Sequence, residues 1–493
     1  MAQRLKVLVM ASEVAPFAKT GGLADVTGAL PRALAGLGHD ARVLMPKYRG
    51  VERHVTDLKI AVPRLRVPLG DRTAEGQLLV GRGPSGVPVY FLVHDHYYDR
   101  DGLYGTADGD YWDNCERFVF FCRGALEALA ALGEAGTGAW RPQVIHANDW
   151  QTGLVPVYLR TLFRDHRTLG KVRTLFTIHN LAYQGVFWHY DMPITGLGWD
   201  LFTPAGIEFY GRINFLKGGL VFSDVLTTVS RTYASEIRTA AYGDGLEGVI
   251  EERSEDLYGV INGIDAEAWG PATDAAIAKR YTAEDLEGKA VCRDALCREV
   301  GLAPGPGPLI GMVTRLAGQK GLDLTLEALP GILAEEASLV LLGSGEPHLE
   351  EAFRAAATQQ PGRVAVTIGY ADDLARRIYA GADCFLMPSR YEPCGLSQLI
   401  ALRYGAVPIV RRTGGLADTV REFAPAQREG TGFLFDGFSV EDLVGAVRRA
   451  AETYRRPVLW SALVRNAMAQ DYSWDASARE YVTLYRKALK ATN

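Results

Sequence analysis

The chain has 493 residues and a formal net charge of -5 at pH 7, with 48% hydrophobic and 23% charged residues. This is the composition of an ordinary globular protein that is long enough for two or three domains. The mildly acidic balance excludes a global basic field that would attract nucleic acid. No apolar run approaches the roughly 20 residues that are needed to span a bilayer.

The N-terminus and the cysteines bear on location. The charged N-terminus runs directly into an apolar segment and lacks the cleavage region of a signal peptide. The six cysteines form no CxxC pair, and the nine histidines show no metal-binding spacing. We therefore expect a cytoplasmic protein that needs no metal or other cofactor and that binds neither nucleic acid nor a membrane.

Short apolar runs alternate with longer amphipathic stretches along the whole chain. The first half predicts strands at Val7–Ala11, Arg42–Met45, Val89–Val93, Val144–His146, Arg173–Ile178 and Val225–Val229. The second half predicts strands at Leu309–Val313, Ser338–Leu342, Val364–Ile368, Cys384–Met387, Val407–Val410 and Gly432–Phe435. Helices are predicted between them, among others at Leu23–Leu37, Glu116–Leu132, Asp323–Ala334 and Leu396–Tyr404. Because the strands are apolar throughout and alternate with helices, we expect α/β domains with doubly wound parallel sheets.

Composition also predicts how the chain divides. The stretch Gly243–Gly259 is charged and contains several glycines, as linkers often do. We therefore predict one Rossmann-like domain over residues 1–250 and a second over residues 251–473. The last predicted helix, Trp474–Lys490, lies within the terminal segment of residues 474–493 and has no strand after it, and we expect this segment to pack back on the first domain.

Two distant segments are nearly identical in sequence. The first near-repeat (residues 19–26) reads Lys-Thr-Gly-Gly-Leu-Ala-Asp-Val, and the second near-repeat (residues 412–420) reads Arg-Thr-Gly-Gly-Leu-Ala-Asp-Thr-Val. Each follows an apolar run and opens a predicted helix. Backbone N–H groups at a helix N-terminus bind anions, and glycine lets a ligand approach closely. One copy alone would favour an ordinary turn, but two copies indicate two α/β domains that face one charged ligand.

Polar residues follow many predicted strands at their carboxyl ends, where open parallel sheets bind ligands. The first half has Ser12-Glu13, His94-Asp95, His146, Asn148-Asp149, His179-Asn180 and Ser230 at such positions. The second half has Thr314-Arg315, Gly343, Gly345, Ser389-Arg390, Arg411-Arg412 and Thr413. Any one of them alone is more simply a cap or a loop residue. Their clustering at the same edge of both sheets predicts a deep polar cleft between the two domains.

Two cations in one glycine-bearing loop point to a phosphate ligand. Arg315 and Lys320 lie five positions apart after a predicted strand, and such a pair can clamp a diphosphate. On this segment alone, a solvated basic loop is an equally good interpretation. Glu392 lies at a strand–loop–helix junction, where it either accepts hydrogen bonds from sugar hydroxyls or favours the helix dipole. Cys394 in the same junction is predicted to be a small buried residue and not a nucleophile.

Six motifs resemble those of bacterial glycogen synthases and plant starch synthases, in the same order and over essentially the whole chain. They are residues 19–26, His146–Trp150, Thr177–Gly185, Val260–Asp265, Thr314–Gly321 and Ser389–Leu396. The resemblance implies an α/β fold of the GT-B type. It further implies a retaining enzyme that transfers glucose from ADP-glucose to the non-reducing end of an α-1,4-glucan, such as glycogen or a maltooligosaccharide.

The resemblance also implies roles for individual residues. Lys19 and the loop of Gly21 and Gly22 resemble the donor-phosphate and acceptor-side elements of the family. Arg315 and Lys320 resemble its diphosphate clamp.

Further residues match positions around the transferred sugar and its phosphate. Glu392 resembles the carboxylate that holds the glucosyl hydroxyls. The backbone of Gly395 and Leu396, beside Cys394, resembles a phosphate cradle. The remaining matches are the glucosyl-pocket positions Asp149, His179 and Asn262 and, more loosely, a tyrosine near the donor base, Tyr98.

The expected mechanism follows from the bond that is broken, which joins the anomeric carbon to a diphosphate oxygen. Cations and helix N-termini would stabilise the departing diphosphate by preorganised electrostatics. Retention by double displacement needs two carboxylates about 5–5.5 Å apart, and the sequence identifies no such pair. We therefore expect front-face transfer, in which the departing phosphate accepts the proton of the acceptor hydroxyl.

Three other functions remain open at this stage. A transferase of the same fold with a UDP-glucose donor or a small acceptor would share the phosphate-binding residues. A nicotinamide oxidoreductase is suggested by any strand–glycine–helix unit, although the first strand lacks GxGxxG. A catalytically silent glucan-binding protein would keep aromatic sugar platforms without needing Arg315 or Lys320. The 18 Phe, 8 Trp and 22 Tyr residues are too many for the sequence to select such platforms.

Overall fold

The computed structural model describes residues 3–106, 108–134 and 140–491. The chain divides into two compact units. The first comprises the chain up to Val229, Ala234–Val260 and the segment that begins at Trp474, and the second comprises Ser230–Tyr233 and Ile261–Ser473. Residues 1, 2, 492 and 493, which the predicted domain limits include, lie outside the described residues.

Nine strands form the main sheet of the first unit. In spatial order they are Leu257–Gly259, Val225–Thr228, Arg173–Ile178, Val144–Asn148, Lys6–Met10, Asp40–Pro46, Pro88–Val93, Arg72–Arg82 and Thr56–Leu69. The first seven are parallel, and the last two are antiparallel at one edge. All six strands predicted for this half are confirmed, with ends within two residues of the predicted ones.

The antiparallel edge adds two strands that the sequence does not predict. The outermost strand, Thr56–Leu69, is mostly exposed along its first half and alternates between buried and exposed residues only near its end. Such a strand lacks the continuous apolar run of a strand that is covered on both faces.

Helices cover the main sheet of the first unit and connect its parallel strands. They are Gly22–Gly36, Asp95–Tyr98, Asn114–Glu134, Leu154–Arg160, Phe215–Phe222, Glu247–Glu252 and Trp474–Lys490, with short 3-10 turns at Val51–His54, Trp150–Thr152, His189–Thr195, Trp199–Leu201 and Ser254–Asp256. The helix Arg231–Glu236 spans the division of the chain after Tyr233. The helix Trp474–Lys490 has the predicted bounds and shares a hydrophobic cluster with the helix Gly22–Gly36, in which Tyr481 and Tyr485 are fully buried.

Two small antiparallel sheets complete the first unit. One has the strands Val186–Trp188, Arg212–Asn214 and Glu208–Phe209 in spatial order, and the other pairs Gly105–Thr106 with Gly109–Asp110. Neither sheet is predicted from the sequence, because strands of two or three residues are too short to show a period.

The second unit is built on a parallel sheet of six strands. In spatial order they are Val364–Ile368, Ser338–Gly343, Leu309–Val313, Cys384–Met387, Val407–Arg411 and Phe433–Phe435, and all six are confirmed predictions. Its helices are Glu287–Val300, Leu322–Ala334, Pro347–Gln359, Asp372–Gly381, Ser397–Arg403, Gly414–Thr419, Val440–Tyr454 and Pro457–Met468, with a 3-10 turn at Gly318–Lys320. None of the helices in the described part of the chain is long and apolar enough to cross a bilayer.

Candidate active site

The first near-repeat encloses a carboxylate of the chain itself. The helix Gly22–Gly36 begins directly after Gly21, whose backbone is extended and whose missing side chain faces open space. The buried carboxylate of Glu13 accepts hydrogen bonds from the backbone N–H groups of Thr20 at 2.5 Å and Gly21 at 3.2 Å. Its other oxygen accepts from the hydroxyls of Thr20 and Tyr104, both at 2.7 Å. The amides of Thr20 and Gly21, which the sequence predicts for a ligand anion, are therefore occupied by Glu13.

Lys19 is the cation of the first near-repeat. Its ammonium group donates to Oδ1 of Asp25 at 2.7 Å, and about half of the Lys19 side chain is exposed. Exposed pairs of this kind contribute about 1 kcal/mol or less. The ion pair between Lys19 and Asp25 is therefore weak, and an anionic ligand can replace the carboxylate of Asp25 as the partner of Lys19.

Asp149 occupies an unusual backbone conformation at the end of the strand Val144–Asn148. Its φ of 56° and ψ of 179° fall in a region that is almost restricted to glycine, where strain of about 1–3 kcal/mol is normal. Its buried carboxylate accepts the backbone N–H of His179 at 2.7 Å. Burial raises the pKa of Asp149 to about 7, and the nearby charge of Glu13 adds to the increase. The carboxyl therefore changes its protonation state near neutral pH.

The imidazole of His179 is held as one tautomer. The side-chain NH2 of Asn148 donates to the carbonyls of Met10 and His146 at 3.0 and 3.1 Å, so its oxygen must be an acceptor. Nε2 of His179 lies 2.9 Å from that oxygen and donates to it. Burial lowers the pKa of His179 to about 3, so the ring is neutral and its Nδ1 remains an acceptor.

Two other side chains of the first unit are fully buried and bind other partners. His146 is fully buried between Tyr485 and Thr177, at 2.8 and 2.6 Å, and burial lowers its pKa to about 3. Tyr98 is also fully buried, and its hydroxyl donates to the carbonyl of Arg117 at 3.0 Å. Since Tyr98 has no exposed face for a ligand, we leave it out of the proposed site.

The second unit has a pocket of about 190 Å3 at the carboxyl ends of the strands Leu309–Val313 and Cys384–Met387. The polar side chains that line it are those of Thr314, Arg315, Lys320, Ser389 and Ser397. Arg315 is exposed, and its guanidinium makes no ion pair with any residue of the described ranges. The structure thus brings together the two cations of the predicted clamp.

Glu392 lies beside this pocket and is almost completely buried. Its Oε2 accepts from the ammonium of Lys320 at 2.5 Å and from the hydroxyl of Ser389 at 3.0 Å. Within the described ranges, no hydrogen bond reaches its second oxygen, Oε1. Lys320 and Ser389 therefore fix the orientation of a carboxylate that keeps one oxygen for a ligand.

The second near-repeat packs against the loop that carries Glu392. Gly414 has a φ of 43°, and a Cβ there would lie 1.9 Å from the carbonyl oxygen of Glu392. A Cβ on Gly415 would lie 2.0 Å from the carbonyl oxygen of Cys394, and the Gly415 N–H donates to the Glu392 carbonyl at 3.0 Å. Both glycines are buried. The α-carbons of both glycines therefore lie against the backbone of the Glu392 loop, whereas the α-carbon of Gly21 in the first near-repeat adjoins open space. That both near-repeats face one ligand stays a prediction.

Further hydrogen bonds hold the same loop in the second unit. The carboxylate of Asp418, in the second near-repeat, accepts the backbone N–H groups of Arg231 and Thr232 at 2.5 and 3.0 Å. The hydroxyl of Ser230 donates to the carbonyl of Pro393 at 2.5 Å. Residues 230–232 and the second near-repeat thereby support the segment next to Glu392.

The remaining predicted site residues surround Cys394. Cys394 is 5% exposed, as predicted, and burial raises the pKa of its thiol to about 12, so that the thiol stays protonated near neutral pH. Gly395 has a φ of 73° and precedes Leu396, the residue before the helix Ser397–Arg403. Asn262 is 5% exposed, and its Oδ1 has no hydrogen-bond partner in the described part of the chain. A buried amide oxygen without a partner is costly and suits a ligand hydroxyl.

Glu13 and Ser389 are the residues of this group whose roles the sequence does not predict. Both appear among the polar residues that follow strands. Their hydrogen bonds to the first near-repeat and to Glu392 depend on the folding of loops, which no periodicity shows.

Family models match most of the chain. The model described as "Starch synthase catalytic domain" matches residues 6–252, and the model described as "Glycosyl transferases group 1" matches residues 296–462. The first model covers eight of the nine strands of the sheet that carries Asp149 and His179, and the second covers the pocket beside Glu392.

Full-length relatives and solved structures agree with these matches. A glycogen synthase of Anaeromyxobacter sp. strain Fw109-5 is 51% identical over 484 residues, covering 98% of this chain and 99% of the relative. A glycogen synthase of Syntrophotalea carbinolica is 49% identical over 487 residues, covering 99% of each chain. The catalytic domain of starch synthase IV from Arabidopsis thaliana, solved with ADP and acarbose, has a TM-score of 0.89 and 34% identity, covering 99% of this chain and all of that one. The motif resemblance is thus confirmed, and the chain belongs to the glycogen synthase and starch synthase family of GT-B glycosyltransferases.

Proposed function

We propose that the chain transfers glucose from ADP-glucose to the non-reducing end of an α-1,4-glucan, with retention of configuration at the anomeric carbon. The observation that carries the proposal is the second-unit pocket, where Arg315 and Lys320 stand beside the oriented carboxylate of Glu392. Two cations suit a diphosphate, and a buried carboxylate with an open oxygen suits sugar hydroxyls. The ADP bound to the starch synthase IV relative supports ADP as the nucleotide.

The two cations suit the departure of ADP. Negative charge grows on the diphosphate as its bond to the anomeric carbon breaks, and fixed cations stabilise that charge most in a partly buried pocket. Arg315 has no internal ion pair within the described ranges and can bind the diphosphate with two parallel N–H donors. Lys320 is already held by Glu392 at 2.5 Å, so it needs little reorganisation to reach a phosphate oxygen.

Glu392 is proposed to bind the sugar and not to attack it. One of its oxygens already accepts from Lys320 and Ser389, which lowers its reactivity as a nucleophile. We propose front-face transfer, in which the departing phosphate takes the proton of the acceptor hydroxyl. The Glu392→Gln variant is then expected to lose turnover without losing all transfer, and a trapped glucosyl adduct on Glu392 would contradict the mechanism.

The first unit carries side chains that suit sugar hydroxyls and phosphate. His179 offers an acceptor at Nδ1, while the carboxyl of Asp149 can donate or accept near neutral pH. We propose that both bind sugar hydroxyls. Lys19 is proposed to bind phosphate, because its exposed pair with Asp25 is weak enough to exchange.

The test is ADP or UDP release from ADP-glucose and UDP-glucose, with and without maltooligosaccharide. We expect ADP release that depends on the glucan. We further expect Arg315→Ala to lower kcat/KM for ADP-glucose about 10- to 100-fold, as loss of a charged hydrogen bond predicts. Arg354→Ala is the matched control, since Arg354 is an exposed arginine whose ion pair joins it to Glu350 on its own helix.

Each failure has a distinct meaning. Equal use of UDP-glucose would contradict the proposed donor but keep the diphosphate clamp. Nucleotide release that is indifferent to glucan would contradict the proposed acceptor. Equal losses in Arg315→Ala and Arg354→Ala would contradict the role of the clamp.

We also propose a cytoplasmic location. Its support is the state of the six cysteines, all of which are free thiols in the structure, as expected in a reducing compartment. Fractionation of the source cells tests it, and recovery of the protein outside the cytoplasmic fraction would contradict it.

A further inference from the structure

Gln398 is a fully buried polar side chain of the second unit to which the chemistry described above gives no role. It lies on the helix Ser397–Arg403, directly after Ser397, whose side chain lines the pocket. Gln398 is 0% exposed. Burying a carboxamide is costly unless it is hydrogen-bonded, so the partners of this side chain indicate its role.

The amide nitrogen of Gln398 holds the turn that follows Glu392. Nε2 donates to the carbonyl oxygens of Cys394 at 2.9 Å and Gly395 at 3.0 Å. Since carbonyl oxygens only accept, these two contacts also fix which end of the carboxamide is the NH2 group. The side chain therefore bends back from the helix and joins its first turn to the loop before it.

The second near-repeat closes the other side of the same turn. Nε2 of Gln398 also lies 3.3 Å from the hydroxyl oxygen of Thr419, and that hydroxyl donates to the carbonyl of Gly415 at 2.6 Å. The N–H of Gly415 donates in turn to the carbonyl of Glu392 at 3.0 Å. A closed series of hydrogen bonds thus leads from Gln398 back to the backbone of Glu392.

The oxygen of the same carboxamide lies against the α-carbon of Gly395. A Cβ on Gly395, whose φ is 73°, would lie 2.3 Å from Oε1 of Gln398. Oε1 is buried and has no hydrogen-bond partner within the described ranges. Because an unpaired buried acceptor lowers stability, stability alone does not account for a carboxamide at this position.

The turn that Gln398 holds places the carboxylate of Glu392. Lys320 and Ser389 orient the end of the Glu392 side chain, but its α-carbon belongs to the backbone of the turn. A displacement of about 1 Å in a group that contacts a substrate can slow a reaction about 100-fold. A small movement of the turn therefore changes the contacts of Glu392 before it changes the fold.

We propose that Gln398 is a positioning residue for glucosyl transfer, which acts through the backbone of residues 392–395 on the carboxylate of Glu392. The proposal rests on the proposed function, since it takes Glu392 to bind the transferred sugar. It adds that kcat/KM for ADP-glucose depends on Gln398. The affinity for ADP, which lacks the sugar, does not depend on it.

The main variant is Gln398→Met, which keeps the length of the side chain and removes its N–H donors. Asn466→Leu is the matched control. Nδ2 of Asn466 donates to the carbonyls of Arg428 at 2.8 Å and Gly430 at 3.2 Å, so this variant also takes a carboxamide from two carbonyls of a loop. That loop precedes the strand Phe433–Phe435 and lies at the amino end of the parallel sheet, opposite to the pocket.

Initial rates with maltooligosaccharide measure kcat/KM for ADP-glucose, and inhibition by ADP measures the affinity for ADP. We expect Gln398→Met to lower kcat/KM about tenfold, as loss of two neutral hydrogen bonds predicts, and to keep the inhibition constant of ADP within about threefold. Asn466→Leu should keep both values within about twofold of the wild type. Urea unfolding shows whether each variant is folded.

A second variant, Gln398→Glu, tests the donor itself. Only a protonated carboxyl group can donate to the carbonyls of Cys394 and Gly395. Burial against carbonyl oxygens raises the pKa of this carboxyl group, and the carboxylates of Glu392 and Asp418, which act on the adjoining Cys394, raise it further. We therefore expect kcat/KM of Gln398→Glu, divided by that of the wild type, to increase at least about threefold from pH 8 to pH 6. The same ratio for Gln398→Met should stay constant.

A folded Gln398→Met variant with kcat/KM within about twofold of the wild type would overturn the proposal. So would an equal loss in Asn466→Leu, a loss of ADP affinity as large as the loss in kcat/KM, or a ratio for Gln398→Glu that does not change with pH. Failure of the proposed function is distinguishable: the wild type would then bind ADP but release none from ADP-glucose in the presence of the glucan.

Discussion

Replacing Glu13 by glutamine tests whether its charge organises the first near-repeat. Four protein donors surround the Glu13 carboxylate, two of them backbone N–H groups and two of them hydroxyls. Glutamine has nearly the same shape but offers one acceptor oxygen and one NH2 group. The backbone groups of Thr20 and Gly21 cannot turn, so we expect the glutamine oxygen to face them. The NH2 group then faces the hydroxyls of Thr20 and Tyr104, which can rotate and accept.

The expected change in unfolding free energy is estimated from hydrogen bonds that keep their geometry in Glu13→Gln but lose the charge of the acceptor. A hydrogen bond to a charged group contributes about 1.5–3 kcal/mol and a neutral one about 0.5–1.5 kcal/mol. The difference is about 1 kcal/mol for each of the two backbone bonds, with a smaller loss at the two hydroxyls. We therefore expect Glu13→Gln to lower the free energy of unfolding by about 2–3 kcal/mol.

Urea unfolding, followed by the near-ultraviolet signal of the aromatic side chains, measures this free energy. Asp25→Asn is the matched control, because it removes a carboxylate whose pair with Lys19 is exposed and contributes little. We expect the control to stay within about 0.5 kcal/mol of the wild type. If Glu13→Gln changed stability by no more than the control, the four hydrogen bonds would not hold the loop.

The same variant has an electrostatic readout. Burial is the main cause of the raised pKa of Asp149, and the charge of Glu13 raises it further. Glu13→Gln removes that charge, so we expect the pKa of Asp149 to fall below its value in the wild type. Carbon-13 NMR of the aspartate carboxyls against pH measures the change. An unchanged titration of Asp149 would refute the coupling between the two carboxylates.

Three further predictions concern other residues of the candidate site. Gly414→Ala should destabilise the protein by about 3 kcal/mol or more in urea unfolding, because its Cβ would lie 1.9 Å from a carbonyl oxygen, whereas Gly21→Ala should cost about 1 kcal/mol or less. Cys394 should resist iodoacetamide at pH 8 until the protein unfolds, since burial raises its thiol pKa to about 12; rapid labelling of the folded protein would contradict this. The raised pKa of Asp149 lowers the stability of the wild type as pH rises from about 4 to about 7, and Asp149→Asn lacks this contribution. The unfolding free energy of the variant minus that of the wild type should therefore increase by about 1.4 kcal/mol per pH unit in that window.

The parallel sheets could be predicted because their strands are buried on both faces. Segments such as Leu309–Val313 and Cys384–Met387 are continuous apolar runs, and their predicted bounds agree with the structure. The strands Thr56–Leu69 and Arg72–Arg82 could not be found in this way. They lie at one edge, where many of their side chains meet water, so no apolar run distinguishes them from a charged loop.

The candidate site could be predicted as a set of residues but not as a set of contacts. The proximity of Arg315 and Lys320 to Glu392 follows from strands that end at one edge of a parallel sheet. The hydrogen bond from Ser389 to Glu392 and the strained backbone of Asp149 do not follow from any motif. Both are set by loops whose conformation depends on residues far away in the chain.

The two near-repeats show why similar sequence does not imply a similar role. In the first, Asp25 pairs with the exposed Lys19, and the loop closes on Glu13. In the second, the corresponding aspartate, Asp418, accepts backbone N–H groups at the start of the helix Arg231–Glu236. The glycines differ in the same way, because the backbone of the Glu392 loop occupies the space beside the α-carbons of the second near-repeat.

Local sequence accounts for what the two near-repeats share, and their neighbours account for what separates them. Each places a glycine turn before a helix at the end of a parallel strand, as the sequence predicts. Whether that turn meets solvent or another loop is decided by segments that lie elsewhere in the chain. The Gly-Gly turn alone therefore does not determine what lies beside it: the space next to the α-carbon of Gly21 is open, whereas a Cβ on Gly414 would meet the carbonyl oxygen of Glu392.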